Sequence, residues 1–201
     1  MAVARVRPAV VDDAPAVAAV QQVVWTSAYA SFLPPGATEG FEPDAVAAAW
    51  SGAISGAGAA GAGVWVATEG DTLVGFVAGG PATPDDLADA TGAVPEDAGS
   101  VVAVATLLVE PRWGRRGHAG RLLVAVADAA RGWGAQRGIV WVPERDTASR
   151  TFFTRAGWEL DGTVRTLDAG GRPLREVRLG GTLDLDFAPE PSAADLGLPL
   201  L

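Results

Sequence analysis

The chain has 201 residues, enough for one domain with a sizeable core, and 49% of them are hydrophobic. It has no cysteine and one histidine, His118, so a disulfide framework, a thiolate metal site and a histidine-rich metal site are excluded, and no metal is expected. Net charge is −9 with every one of the 15 basic residues an arginine: Pro8 to Pro111 holds 13 carboxylates and no cation, whereas Arg112 to Arg178 holds 13 arginines against seven acids. Such asymmetry points to two ligands or two faces. An acidic chain with one local basic patch lacks the footprint of a nucleic-acid binder. No G-x-S-x-G elbow is present to give His118 a serine partner. No apolar run reaches a membrane span, and Asp12 and Asp13 interrupt any signal-peptide pattern, so a soluble cytoplasmic protein is expected.

In chain order, Ala4 to Val10 reads as a short strand. Asp12 or Asp13 caps a helix with Pro15 in its first turn, running to about Tyr29. Pro34, Pro35 and Gly36 make a loop. Asp44 caps a second helix whose apolar positions Val46, Ala49, Trp50, Ala53 and Ile54 share one face. Gly52 to Gly63, almost all glycine, alanine and serine, reads as a flexible connection. Val64 to Thr68 and Thr72 to Ala78 form a hairpin about Glu69-Gly70-Asp71. Pro81 to Gly99 holds five acids and three prolines and reads as a long surface loop with room for one helical turn, a candidate lid.

Val101 to Val109 is apolar throughout, which suits a central strand. A loop with three arginines and three glycines follows Pro111. The next helix carries Leu122, Leu123, Val126, Ala127 and Ala130 on one face and ends near Gly132 to Gly134. Strand, glycine-rich basic loop and helix start together make an anion site, because free N–H groups and the positive helix end converge there. Gly138 to Val142 is a further strand. Asp146 or Thr147 caps a helix through Arg155, stopped at Gly157. Trp158 to Leu160 and Val164 to Leu167 extend a strand. A turn at Asp168 to Gly171 leads into Leu174 to Leu179. Periodicity ends at Gly180. The organisation expected is one domain over residues 1–180 and a tail over 181–201 with Pro189, Pro191 and Pro199.

The loop is neither a P-loop, which needs a lysine, nor a dinucleotide fingerprint, whose glycine spacing differs. Gly114-Arg115-Arg116-Gly117-His118-Ala119 resembles the acyl-CoA loop of the GNAT superfamily of N-acetyltransferases, R/Q-x-x-G-x-G/A, with Val109-Glu110-Pro111 before it and Leu122-Leu123 after it. Asp146 to Trp158 resembles that family's N-x-x-A-x-x-F-Y-x-x-x-G-F/W segment. Arg7-Pro8-Ala9, Asp13-Ala14, Trp25 and Tyr29 resemble a common bacterial variant. The resemblance spans roughly residues 4–180. It implies an α/β (α+β) fold with a mixed, mostly antiparallel central sheet, flanking helices and splayed central strands. The activity implied is acetyl transfer from acetyl-CoA to a primary amine of a small molecule or peptide by direct attack. The alternative is an acyl-CoA-binding protein with weak or no transferase activity.

Carried over by position, the pyrophosphate of acetyl-CoA falls on the N–H groups of Arg116, Gly117, His118, Ala119 and Gly120, with Arg115, Arg116 and Arg121 adding charge. The pantetheine arm pairs with the backbone of Leu107, Leu108 and Val109. Asp146, Ser149, Phe152 and Phe153 complete the cofactor side. The N–H of Leu108 or Val109 is the candidate donor to the thioester oxygen. Tyr29, the only tyrosine, is the candidate catalytic group of the acceptor pocket. Four positions depart from the family pattern. Gly114 stands at the first loop position, and Asp146 replaces the asparagine. Phe153 replaces the tyrosine that protonates the leaving thiolate, and Ala103 stands where a strand glutamate serves as base. The acidic first half, with Glu39, Glu42 and Asp44 on the acceptor side, suggests a cationic amine. A homodimer is an allowed arrangement, and neither nucleic acid nor membrane is an expected partner.

Overall fold

The computed structural model describes residues 4–30, 41–58, 61–169, 173–185 and 187. The loop at Pro34 to Gly36, Glu39, the glycines of the 168–171 turn and the prolines of the tail lie outside them. The strands are β1 (Ala4–Pro8), β2 (Gly63–Glu69), β3 (Thr72–Pro81), β4 (Val101–Val109), β5 (Arg137–Pro143), β6 (Glu159–Asp168) and β7 (Pro173–Thr182). The helices are α1 (Ala14–Ser27), α2 (Pro43–Ser55), α3 (Pro84–Leu87), α4 (His118–Gly132) and α5 (Thr147–Arg155). All seven strands share one sheet in the order β1-β2-β3-β4-β5-β7-β6. Every pair described is antiparallel except β4 with β5. This is the mixed, mostly antiparallel sheet the sequence implied.

Helices cover both faces. Val17, Val20 and Val24 of α1 pack with Val66, Phe76 and Leu108, while Trp50 of α2 joins at their edge. On the other face Leu122, Leu123, Val126 and Ala127 of α4 join Phe153 of α5, Trp158 and Leu179 in the largest cluster. The face assignment follows from the periodicity of α4, whose buried residues are those the sequence placed on one side.

The decisive irregularity is in β4. Ala78 pairs with Thr106 but Gly79 pairs with Val104, so Ala105 is an extra residue, a β-bulge. Its effect shows in the packing. Val102 and Val104 face α4, as do Leu107 and Val109, while Leu108 faces α1. One inserted residue has inverted the alternation. Pairing with β5 stops at the same point, the last partners being Val104 and Val140. Beyond it β4 bonds only to β3 and β5 only to β7. A bulge bends its strand and raises local twist, so the two central strands splay.

Several boundaries differ from the sequence reading. β1 ends at Pro8 rather than Val10, because the Asp13 carboxylate takes the Val10 N–H (2.8 Å) and a 3-10 turn over Val11–Asp13 begins. Asp13 flanks α1 without a side-chain cap bond, its oxygens being held by Arg7 at 2.6 and 2.8 Å. α2 runs through Gly52 to Ser55, since Ile54 is buried against Ala14 and Val64 and anchors the last turn. Pro81 to Gly99 is no loose lid. Thr83 caps α3, Leu87 is buried with Val101 and Ile139, and Arg178 donates to the Asp86 carbonyl at 2.9 Å. β6 is continuous from Glu159, and β7 reaches Thr182, past the boundary read at 180. Leu183 beyond it is buried, and Arg131 bonds its carbonyl.

Candidate functional site

The splay leaves an opening in the middle of the sheet. A cavity of about 290 Å³ sits there, bordered by Leu107, Leu108 and Val109 of β4 and by Asp146, Ser149 and Phe153 at α5. Tyr29 and Val24 close it from the α1 side, and Ala119 from the start of α4. Residues from both faces of the sheet therefore meet in one cavity, which an unbroken sheet would forbid.

The β4 backbone borders this gap with a definite polarity. Glu110 donates its N–H to the Val74 carbonyl (2.9 Å). In an antiparallel ladder hydrogen-bonded and non-bonded pairs alternate. Phe76–Leu108 is thus a bonded pair, whereas Val77–Leu107 and Gly75–Val109 turn their N–H and C=O groups the other way. Leu107 and Val109 present free backbone groups to the opening. Leu108, one of the two donors expected from sequence, spends its N–H on β3. Val109 is the donor that faces the gap.

At the mouth stands the N-terminus of α4. Gly117 precedes it with φ +76° and supplies no side-chain cap, so the first N–H groups of the helix have no intrahelical partner. Arg121 is the first residue to close the ladder, bonding the Gly117 carbonyl at 3.1 Å. Gly117 is required here for its left-handed backbone. Arg115 also has positive φ, +58°. The three arginines play different parts. Arg116 bonds Glu69 (2.9 Å) and lies over the Trp113 ring at 4.7 Å. Arg121 donates to the Arg116 carbonyl (3.0 Å), bracing the loop. Arg115 makes no hydrogen bond or ion pair among the described residues.

His118 is buried, and its Nε2 meets Glu69 at 3.1 Å. Its side chain thus anchors the helix start to the end of β2. Glu69, read from sequence only as a turn residue, fixes the anion loop through two contacts. The signal was weak: a lone carboxylate at the end of an apolar strand. Phe187 is a second residue the sequence did not nominate. It stacks on Phe152 at 5.8 Å and lies 3.7 Å from the position a Cβ on Gly120 would take.

The polar groups of the cavity gather at the start of α5. Asp146 is buried and caps α5, accepting the Ser149 N–H at 3.0 Å and the Ser149 Oγ–H at 2.6 Å. Tyr29 borders the same cavity as Asp146 and Ser149. Burial pushes the Tyr29 phenol up to about 12, and the charges of Asp146 and Glu176 act the same way. Glu176 is buried on β7 and bonds Arg165 (2.7 Å). Of the carboxylates expected on the acceptor side, Glu42 and Asp44 lie at the start of α2, outside the residues that border the cavity. Phe153 is buried and stacked on Trp158 at 5.3 Å, with no proton to give. Among the described residues no cluster of His, Asp and Glu could hold a metal ion, and no helix is long and apolar enough to cross a membrane.

A family model for the GNAT acetyltransferases matches residues 21–158. The chain belongs to the GNAT acetyltransferase family. Solved structures agree on the fold. An N-acetyltransferase from Thermoplasma acidophilum, in complex with coenzyme A, superimposes with a TM-score of 0.69 at 13% identity, covering 90% of this chain and 99% of that one. The yncA protein of Salmonella typhimurium, with acetyl-CoA, gives 0.62 at 17% identity, covering 93% and 98%. A ribosomal-protein-alanine N-acetyltransferase from Brucella melitensis gives 0.66 at 18%, covering 89% and 99%. At these identities the likeness is one of fold. No curated protein matches the chain by sequence. The free N–H groups at α4 and the free edge of β4 fit a long molecule with a phosphate at one end.

Proposed function

We propose that this GNAT chain transfers acetyl from acetyl-CoA directly to a primary amine of a small molecule or peptide. The observation that carries the reading is the gap between β4 and β5 beyond Val104 and Val140, with the uncapped start of α4 at its mouth. The pyrophosphate is held by the N–H groups from Gly117 to Gly120, with Arg115 the arginine free to reach it. The pantetheine amides pair with Leu107 and Val109 as an added strand would. The Val109 N–H points at the thioester oxygen, where negative charge grows as the amine attacks. Asp146, the carboxylate that borders the cavity, and the acidic first half of the sequence favour a cationic acceptor.

A second reading rests on Phe153. It occupies the position from which the leaving thiolate is ordinarily protonated and carries no proton, which favours an acyl-CoA-binding protein with weak transfer. One pair of assays separates the two. Acetyl-CoA raises the melting temperature under either reading. Release of free thiol that requires an added amine, measured over a panel of polyamines, aminoglycosides, peptides and amino acids, occurs only under the first. Preference for anionic amino acids would refute the cationic acceptor.

A further inference from the structure

Phe187 lies well beyond residues 21–158, which the family model matches, yet its ring packs on both helices that flank the cavity, on α4 at Gly120 and on α5 at Phe152. We propose that Phe187 is a binding residue for the acyl-CoA, an apolar wall for the pantetheine arm between the phosphate site at α4 and the thioester end at Val109. The proposal rests on the placement of acetyl-CoA in the gap made above.

The ring is held in place by the core. β7 ends at Thr182, and Leu183 beyond it is buried, with Arg131 of α4 donating to its carbonyl. Leu185 packs on the same core cluster as α4 and α5. Phe187 then forms the outer end of a row of rings. It stacks on Phe152 at 5.8 Å with the planes 23° apart, Phe152 meets Phe153 edge-on at 5.0 Å, and Phe153 stacks on the fully buried Trp158 at 5.3 Å. Such aromatic pairs are favourable beyond the area they bury, so the row fixes its half-buried end.

On its other flank the ring meets the start of α4. Three of its atoms lie 3.7 Å from the place a Cβ on Gly120 would take, so the ring sits over the bare backbone of that glycine. Gly120 belongs to the first turn, whose N–H groups have no intrahelical partner. Ala119 and Phe152, next to the ring on either helix, border the cavity, which stays open at about 290 Å³ with the ring in place. The ring therefore bounds the opening rather than filling it. A molecule running from the free N–H groups of α4 to Val109 passes between α4 and α5, with Phe187 closing that side. A phenyl ring offers nothing to a phosphate, so its partner is the uncharged arm, whose methyl and methylene groups leave water against it.

Three ligands separate a wall from a mere support of the helix. They are acetyl-CoA, S-acetylpantetheine, which has the arm without the nucleotide, and inorganic pyrophosphate, which has neither arm nor base. In calorimetric titration below the unfolding transition, Phe187→Ala should bind acetyl-CoA and S-acetylpantetheine each about tenfold more weakly and pyrophosphate as the parent does. KM for acetyl-CoA should rise by the same factor with kcat within about twofold. Phe187→Leu, which keeps an apolar side chain, should recover most of the affinity, and it serves as the test should Phe187→Ala fail to fold. Equal weakening toward all three ligands overturns the wall and makes the ring a support of α4. A loss for acetyl-CoA alone puts the ring on the nucleotide and overturns it too. Unchanged binding of acetyl-CoA refutes any contact, and tighter binding shows a ring standing in the path. Each of these leaves acetyl-CoA in the gap. A parent chain that does not bind acetyl-CoA overturns that placement and the wall together.

Discussion

The same substitution, glycine to alanine, should act in opposite directions at two helices of this protein, and for reasons visible in the backbone. Gly117 sits at φ +76°, and a Cβ there would lie 3.5 Å from the Arg121 guanidinium, which is ordinary contact. Space is therefore not the obstacle. The cost is conformational, about 1–2 kcal/mol for an L-residue held in the left-handed region. In a domain of this size that lowers Tm by roughly 2–8 °C. Gly52 lies within α2 with nothing within 4 Å of its Cβ position and an ordinary helical φ. Alanine there removes unfolded-state freedom and gains about 0.5–1 kcal/mol, roughly 1–4 °C. Gly117→Ala should also displace the free N–H groups of α4. Losing one charge-assisted bond, about 1.5–3 kcal/mol, weakens acetyl-CoA binding about tenfold or more. Thermal unfolding and calorimetric titration of the two variants provide the check. If both move Tm the same way, the backbone argument fails. If Gly117→Ala binds acetyl-CoA like the parent, the α4 N-terminus is not the phosphate site.

Three other outcomes follow from contacts elsewhere. Glu69→Ala strands the Nε2 of His118, whose Nδ1 already has no partner. It should cost about 1–3 kcal/mol, seen as a lower Tm, whereas Glu69→Gln keeps one acceptor and loses less. Phe187→Ala removes a ring stacked on Phe152 beside Gly120, and should lower Tm by a few degrees, about 1–2 kcal/mol for a half-buried aromatic. An unchanged Tm would mean that the segment does not pack there in solution. The Arg7 guanidinium holds the Asp13 carboxyl below the ordinary carboxylate range. The folded value being the lower one, this pair stabilises above the ordinary value of about 3.9 and loses its effect as pH falls through the folded value. The stability gap between wild type and Arg7→Ala should accordingly be constant from pH 7 to about pH 5 and close on further acidification, as read by denaturant unfolding.

The elements most legible in the sequence were those with a strong period or a strong stop. The buried stripe of α4 fixed both its limits and the face it turns to the sheet. The Glu69-Gly70-Asp71 turn placed the β2–β3 hairpin and hence its register. The turn into α4 was legible because Gly117 is needed for its left-handed backbone, a constraint that leaves a mark on residue type. Gly52 to Ser55 carries two competing signals, the helical spacing of Ala53 and Ile54 and a glycine-rich composition, and burial of Ile54 decides for the helix. The bulge at Ala105 left no mark at all. Val101 to Val109 is apolar on both faces, so inverting the alternation exchanges one hydrophobic residue for another. That silence matters for the site. The bulge turns Val109 rather than Leu108 toward the opening, ends the β4–β5 ladder, and leaves Tyr29, Asp146 and Ser149 bordering one cavity. Sequence could name Tyr29, Asp146 and Ser149 singly, because each is a rare polar residue near a motif. It could not join them, because the link depends on a backbone defect in a stretch whose side chains are indifferent to it. Deletion of Ala105 should therefore damage transfer far more than any conservative apolar substitution along β4, since only the deletion removes the bulge and restores the pairing that would close the gap.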